Sequence, residues 1–177
     1  MKNNAESLIL GIDLGGTKIL TAVVDSKGKI LSRDQSTTPA ERGPEAVIRA
    51  IVESSERTID QAGITTAELT AIGLGAPGLS NPETGVLFTS PNLPDWQDVP
   101  LRDIIKKELG LATFLINDAN AAALGELHFG AATGAENFIY ITISTGIGGG
   151  IVINRQIYIG ANGLAGEIGH MTIDDED

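Results

Sequence analysis

The residues that could do chemistry fall in six short runs. Asn117-Asp118 ends one apolar run and opens an alanine-rich one. A carboxylate at the C-terminal end of a strand faces the crevice of an open α/β sheet. There Asp118 could take a proton from a substrate hydroxyl. Asn and Asp are also preferred helix caps, so a purely structural reading competes. Both can hold, with Asp118 acting on substrate and Asn117 capping. Asp13-Leu14-Gly15-Gly16-Thr17-Lys18 lies between two β-branched runs and reads as a hairpin turn. Its glycines would let backbone N–H groups approach phosphate oxygens, with Thr17 and Lys18 as further donors. Asp13 could hold Mg2+ directly or through water. The competing reading is an ordinary tight hairpin whose glycines serve only positive φ.

Ser144-Thr145-Gly146-Ile147-Gly148-Gly149-Gly150 is a second candidate phosphate loop. Glycine weakens a strand, so this many beside isoleucine-rich runs implies that something approaches the backbone closely. Glu167 and His170 close a bend with glycine at every third position, from Gly160 to Gly169. Such a pair could hydrogen-bond vicinal hydroxyls, and a histidine could also ligate Zn2+. A lone histidine is more often a satisfied polar residue. Asn92, in Ser90-Pro91-Asn92-Leu93-Pro94-Asp95-Trp96, could contact substrate or simply belong to a proline-rich turn anchored by the tryptophan. Gly73-x-Gly75-x-x-Gly78 matches a dinucleotide fingerprint by letter, but Pro77 and Asn81-Pro82 stand where the helix should open. It reads instead as a backbone turn at a cleft edge. His128 is expected on a solvated helix face.

These residues must be positioned by a chain of 177 residues, enough for one large domain or two small ones. Apolar content of 42% provides for a core, and 20% charged residues is too low for disorder. The net charge of −11, with no clustered Lys or Arg, argues against a nucleic-acid partner. Glycine loops and Mg2+ still permit an anionic nucleotide. The lack of cysteine excludes disulfides and thiolate metal sites within this chain and fits a cytoplasmic protein. Leu8 to Ile12 is too short for a signal sequence, and no run reaches membrane-spanning length, so no membrane partner is expected.

Strands are predicted at Leu8–Leu14, Ile19–Asp25 and Lys29–Thr37, as an antiparallel meander turning at Ser26-Lys27-Gly28. A helix follows from Pro44 to about Ala62, with Val47, Ala50, Ile51, Thr58 and Ile59 inward and Gly63 as its stop. Strands near Leu69–Leu74, Val86–Phe88 and Ala112–Ile116, a helix opened by Pro100 and stopped by Gly110, and a helix from Asp118 to about Phe129 complete an α/β lobe over 1–133. A linker at 130–136 leads to a second lobe, 134–177. It has strands at Phe138–Ile143, Ile147–Ile153 and Gln156–Ile159, repeating the opening of the first. The second lobe reads as incomplete.

Taken in order, Asp-x-Gly-Gly-Thr-Lys, Gly-x-Pro-Gly, Pro-Asn-Leu, Asn-Asp-Ala-Asn, Ser-Thr-Gly-x-Gly-Gly-Gly and Gly-Glu-x-Gly-His resemble the ROK family of sugar kinases, and within it the bacterial glucokinases. The resemblance implies an actin/hexokinase-like (ribonuclease H-like) nucleotide-binding fold, first lobe complete and second partial. It implies transfer of the ATP γ-phosphoryl group to the 6-hydroxyl of glucose or a related hexose. Asp118 would be the base, and Asn92, Asn117, Asp118, Glu167 and His170 would hold the sugar. Asp13, Gly15, Gly16, Thr17, Lys18, Thr145, Gly146, Gly148 and Gly149 would bind ATP, with Asp13 near Mg2+. A homodimer is expected by the same resemblance. The family carries a Cys-x-Cys zinc motif soon after the histidine. This chain ends seven residues after His170 without cysteine. Zn2+ is therefore expected only in a longer form, with His170 as one ligand, and this chain is expected to be a fragment with little activity alone. The alternatives are a non-catalytic sugar-sensing module of the repressor type, a kinase for N-acetylhexosamine or fructose, or an actin-like ATPase acting on another acceptor.

Overall fold

In a computed structural model of the chain, residues 7–144 and 146–172 are described. Leu8–Leu14 (β1), Lys18–Asp25 (β2) and Ile30–Thr37 (β3) form the expected antiparallel meander. Period-2 patterning sets its faces: Leu10, Ile12 and Leu14 are buried, whereas Ile9 and Asp13 are exposed. Pro44–Ala62 (α1) has proline in its first turn and stops where Gly63 takes the left-handed backbone at φ 69. Its inward face holds Val47, Ile51 and Ile59 beside a hydroxyl row of Ser54, Ser55 and Thr58.

Leu69–Ala76 (β4) runs parallel to β1. Leu79–Asn81 (β5), Val86–Thr89 (β6) and Gln97–Val99 (β7) make a small antiparallel sheet. Its two outer strands are three residues each, and their sequences lack the alternation that makes a strand legible. Leu101–Leu109 (α2) ends at Gly110, again left-handed. Thr113–Asn117 (β8) pairs parallel with β4, giving a five-stranded order β3-β2-β1-β4-β8. Leu10, Leu14, Val23, Ile51, Ile72, Leu74, Leu101 and Ile105 belong to the core of this unit.

The chain divides into two compact units, Met1–Asn117 and Asp118–Asp177. The division falls before the expected linker at 130–136. Asp118–Phe129 (α3) buries Ala123 and Leu127 against Val152, so it packs within the second unit. Phe138–Ile143 (β9), Ile147–Ile153 (β10) and Gln156–Tyr158 (β11) form a sheet in the order β11-β10-β9. Among the described residues, no helix is long and apolar enough to cross a membrane.

Candidate functional site

In the first unit, the carboxyl ends of the parallel strands gather the candidate residues. Asp13 is exposed near the end of β1, and Gly15 N–H donates to the Lys18 carbonyl at 2.8 Å to close the turn. Neither Gly15 nor Gly16 takes a left-handed backbone, so positive φ does not explain them. Close approach explains Gly16: a Cβ there would lie 2.6 Å from Asn92 Cβ and 2.9 Å from the Asn92 carbonyl oxygen. The turn and Asn92 therefore lie against each other. Thr17 and Lys18 are exposed. Thr38, which carries no motif, holds this turn: its hydroxyl donates to Gly15 O at 2.7 Å and its N–H to Thr17 O at 3.0 Å. Only its place directly after β3 could have marked it.

The 90s loop is pinned beneath by Leu93 and Trp96, both buried, which leaves Asn92 outward. Gly78, at φ 93, turns β4 into β5 instead of into a helix, which removes the dinucleotide reading. A Cβ on Gly78 would lie 2.3 Å from Thr89 O, so the turn is tight against the end of β6. Asn117, last residue of β8, donates from Nδ2 to Gly78 O at 3.4 Å. Asp13, the Gly78 turn and Asn117 thus end three adjacent parallel strands, the edge where open α/β sheets bind ligands.

In the second unit, Asp118 opens α3, and its Oδ1 accepts the Ala119 N–H at 2.8 Å. The carboxylate is thereby fixed at the helix start. Ser144 N–H donates to Gly146 O at 2.8 Å across the β9–β10 turn. Thr145 lies outside the described residues. Gly148, Gly149 and Gly150 sit within β10, and their close neighbours are protein. Cβ atoms at Gly148 and Gly150 would meet Ala119 Cβ at 3.3 Å and Ala123 Cβ at 2.7 Å. One at Gly149 would meet Gly166 O at 2.8 Å. The glycine strand therefore seats the helix of Asp118 on one face and the bend of Glu167 and His170 on the other.

Gly166 is left-handed at φ 94, and Ile168–His170 is a single 3-10 turn. His170 Nε2 stands 3.9 Å from Glu167 Oε2, too far for a hydrogen bond, with the imidazole mostly in solvent. The two side chains share one side of the bend. Among the described residues no three His, Cys, Asp or Glu side chains gather. The residues present do not fit zinc, because a structural site needs four ligands and among the described residues only Glu167 lies near His170. They do fit Mg2+, which takes one or two carboxylates and otherwise phosphates and water, as Asp13 beside the Gly15–Lys18 turn would offer. His128 is exposed, as expected.

The family model for the ROK family matches residues 9–177. The glucokinase of Thermotoga maritima is 40% identical over 94% of this chain and 51% of its own. The xylose repressor of Bacillus subtilis is 37% identical over 97% of this chain and 44% of its own. Among solved structures, a ROK family glucokinase from Streptomyces griseus in complex with glucose and AMPPNP is similar at TM-score 0.86 and 38% identity, covering 95% of this chain and 51% of that one. A ROK hexokinase from Thermus thermophilus gives TM-score 0.82 at 46% identity, covering 94% and 53%. The chain spans about half the length of the relatives it matches.

Proposed function

The chain belongs to the ROK family and has the actin/hexokinase-like fold of its glucokinases in part; from this we propose that it supplies sugar- and phosphate-binding residues of an ATP-dependent hexose kinase. The observation that carries the reading is Asp118, a carboxylate fixed at a helix start directly after the carboxyl end of a parallel strand. In this reaction Asp118 takes the proton of the sugar 6-hydroxyl as that oxygen attacks the γ-phosphorus. The bond from the γ-phosphorus to the bridging oxygen breaks, and ADP leaves. Asn92, Asn117, Glu167 and His170 hold the remaining hydroxyls. Backbone N–H groups of Gly16 and Thr17 in the turn that the Gly15 N–H closes, with Lys18, Thr145 and Gly146, receive the donor phosphates. Asp13 would hold Mg2+, whose chemistry there would be to offset the charge of the phosphates. Phosphoryl transfer rests on positioning and charge neutralisation, so a well-placed carboxylate suffices as base.

The test is a coupled assay of glucose phosphorylation. It compares this chain with a form extended by the remaining half of the T. maritima glucokinase, each with and without Asp118→Asn. The extended form is expected to phosphorylate glucose and the 177-residue chain to show little turnover. Asp118→Asn should lower kcat by about 10²–10⁴-fold while glucose still binds. The likeness to xylose repressors supports a second reading, a sugar-sensing module without phosphoryl transfer. An extended form that binds glucose yet leaves ATP intact would replace the kinase reading with that one.

A further inference from the structure

One residue outside every motif grips the candidate phosphate turn from behind. Thr38 follows β3 and precedes Pro39, and it is only 6% exposed although polar. Its hydroxyl donates to Gly15 O at 2.7 Å, and its N–H donates to Thr17 O at 3.0 Å. These two carbonyls flank Gly16. The turn's own closing bond, from the Gly15 N–H to Lys18 O, joins only the two limbs of the hairpin. A two-stranded hairpin needs no third strand to close it, so closure does not account for the Thr38 bonds.

Peptide geometry does account for them. A trans peptide is planar, and its C=O and the following N–H point opposite ways. Drawing Gly15 O towards the Thr38 hydroxyl therefore turns the Gly16 N–H away from the buried Thr38. A glycine turn left to itself samples many backbone directions. Thr38 is rigidly placed. The pairing of β2 with β3 runs to Lys18 and Thr37, and a residue before proline is confined to extended backbone. Beyond it the Arg42 N–H donates to Pro39 O at 3.0 Å. A donor aimed before its anion arrives costs no reorganisation when the anion binds.

We propose that Thr38 is a positioning residue whose hydroxyl fixes the direction of the Gly16 N–H for the phosphates of a nucleotide donor. The inference rests on the kinase reading. Thr38 acts through the Gly15–Gly16 peptide and not on substrate. Thr38→Val removes the hydroxyl while keeping the shape and the backbone N–H. Thr38→Ser keeps the hydroxyl. Both are made in the form extended with the T. maritima half. Binding of AMPPNP with Mg2+ and binding of glucose are then measured separately by titration calorimetry.

Thr38→Val should weaken AMPPNP binding by about tenfold, the worth of one hydrogen bond to a charged group. Glucose affinity should stay as in the parent, and Thr38→Ser should restore most of the lost AMPPNP affinity. A merely structural hydroxyl would move both affinities together, and that result overturns the proposal. Unchanged AMPPNP affinity in Thr38→Val also overturns it, as does a loss that Thr38→Ser does not repair. If Thr38→Val does not melt cooperatively, Thr38→Ala takes its place under the same criteria. A parent that binds glucose but not AMPPNP sinks the kinase reading, and this inference falls with it. A parent that binds both keeps the kinase reading standing whatever the variants show.

Discussion

At position 16 the fold leaves room for a hydrogen and nothing larger. The neighbours a Cβ would strike are the Cβ and the carbonyl oxygen of Asn92, so part of the obstruction is backbone and cannot rotate aside. Gly16→Val should therefore push the phosphate-loop candidate and the 90s loop apart. Overpacking of this kind costs about 1–3 kcal/mol, read as a lower urea midpoint, and in the extended form glucose affinity should fall with it. Gly146→Ala is the matched control, because a Cβ there meets nothing within 4 Å. Equal urea midpoints for the two variants would show that the Gly16–Asn92 contact does not hold the loops together.

Helix α1 is tied to the meander by polar groups as well as by Val47 and Ile51. The Thr21 hydroxyl lies 2.9 Å from Ser54 Oγ, and Ser32 donates to the Thr58 carbonyl at 2.7 Å. Ser54 donates to Asp34 Oδ2 at 2.8 Å, and Arg57 reaches the same oxygen at 2.7 Å. The Arg57 hydrogen bond, with help from Ser54 and against some desolvation, holds the Asp34 carboxyl below its ordinary value of 3.8. A carboxylate whose folded pKa is depressed adds stability above its unfolded pKa and loses it as pH falls through the folded value. The melting-temperature advantage of the parent over Asp34→Asn should thus be full at neutral pH and shrink below about pH 4; an advantage unchanged at pH 3 would mean that the charge contributes nothing. This network also marks the limit of legibility. The apolar stripe and the Pro44 and Gly63 punctuation placed α1 from sequence, because period and caps are local signals. Ser54 and Ser55 were not legible as buried, since their partners lie on strands distant in sequence. The same limit applies at the site. Asp118, Asn117 and the Gly15–Gly16 turn were visible as types and spacings. Thr38, which holds the turn, and α3, which packs within the second unit, depended on tertiary contacts that no local pattern encodes.

At the scale of the molecule, the two units open alike and finish differently. In the first, β3-β2-β1 continues across β1 to β4 and β8. In the second, the sheet among the described residues is β11-β10-β9, with β9 at its edge. Along β9 the residues alternate, and Ile139, Ile141 and Ile143 are 61%, 55% and 80% exposed. Ile147 and Ile153 of β10 are exposed as well. An edge strand with a bare isoleucine row is a template for pairing with another chain. The net charge of −11 opposes this at long range, but added salt screens that repulsion beyond about 8–10 Å. The 177-residue chain should consequently self-associate as concentration and salt rise, with sedimentation velocity showing a growing fast fraction. Ile139→Lys with Ile141→Lys should return it to a single slow species. Both side chains are more than half exposed, so the fold itself should tolerate the change. If the parent stays a single slow species in high salt, the edge is protected by some feature other than charge. If the lysine pair leaves association intact, the contact lies elsewhere on the surface.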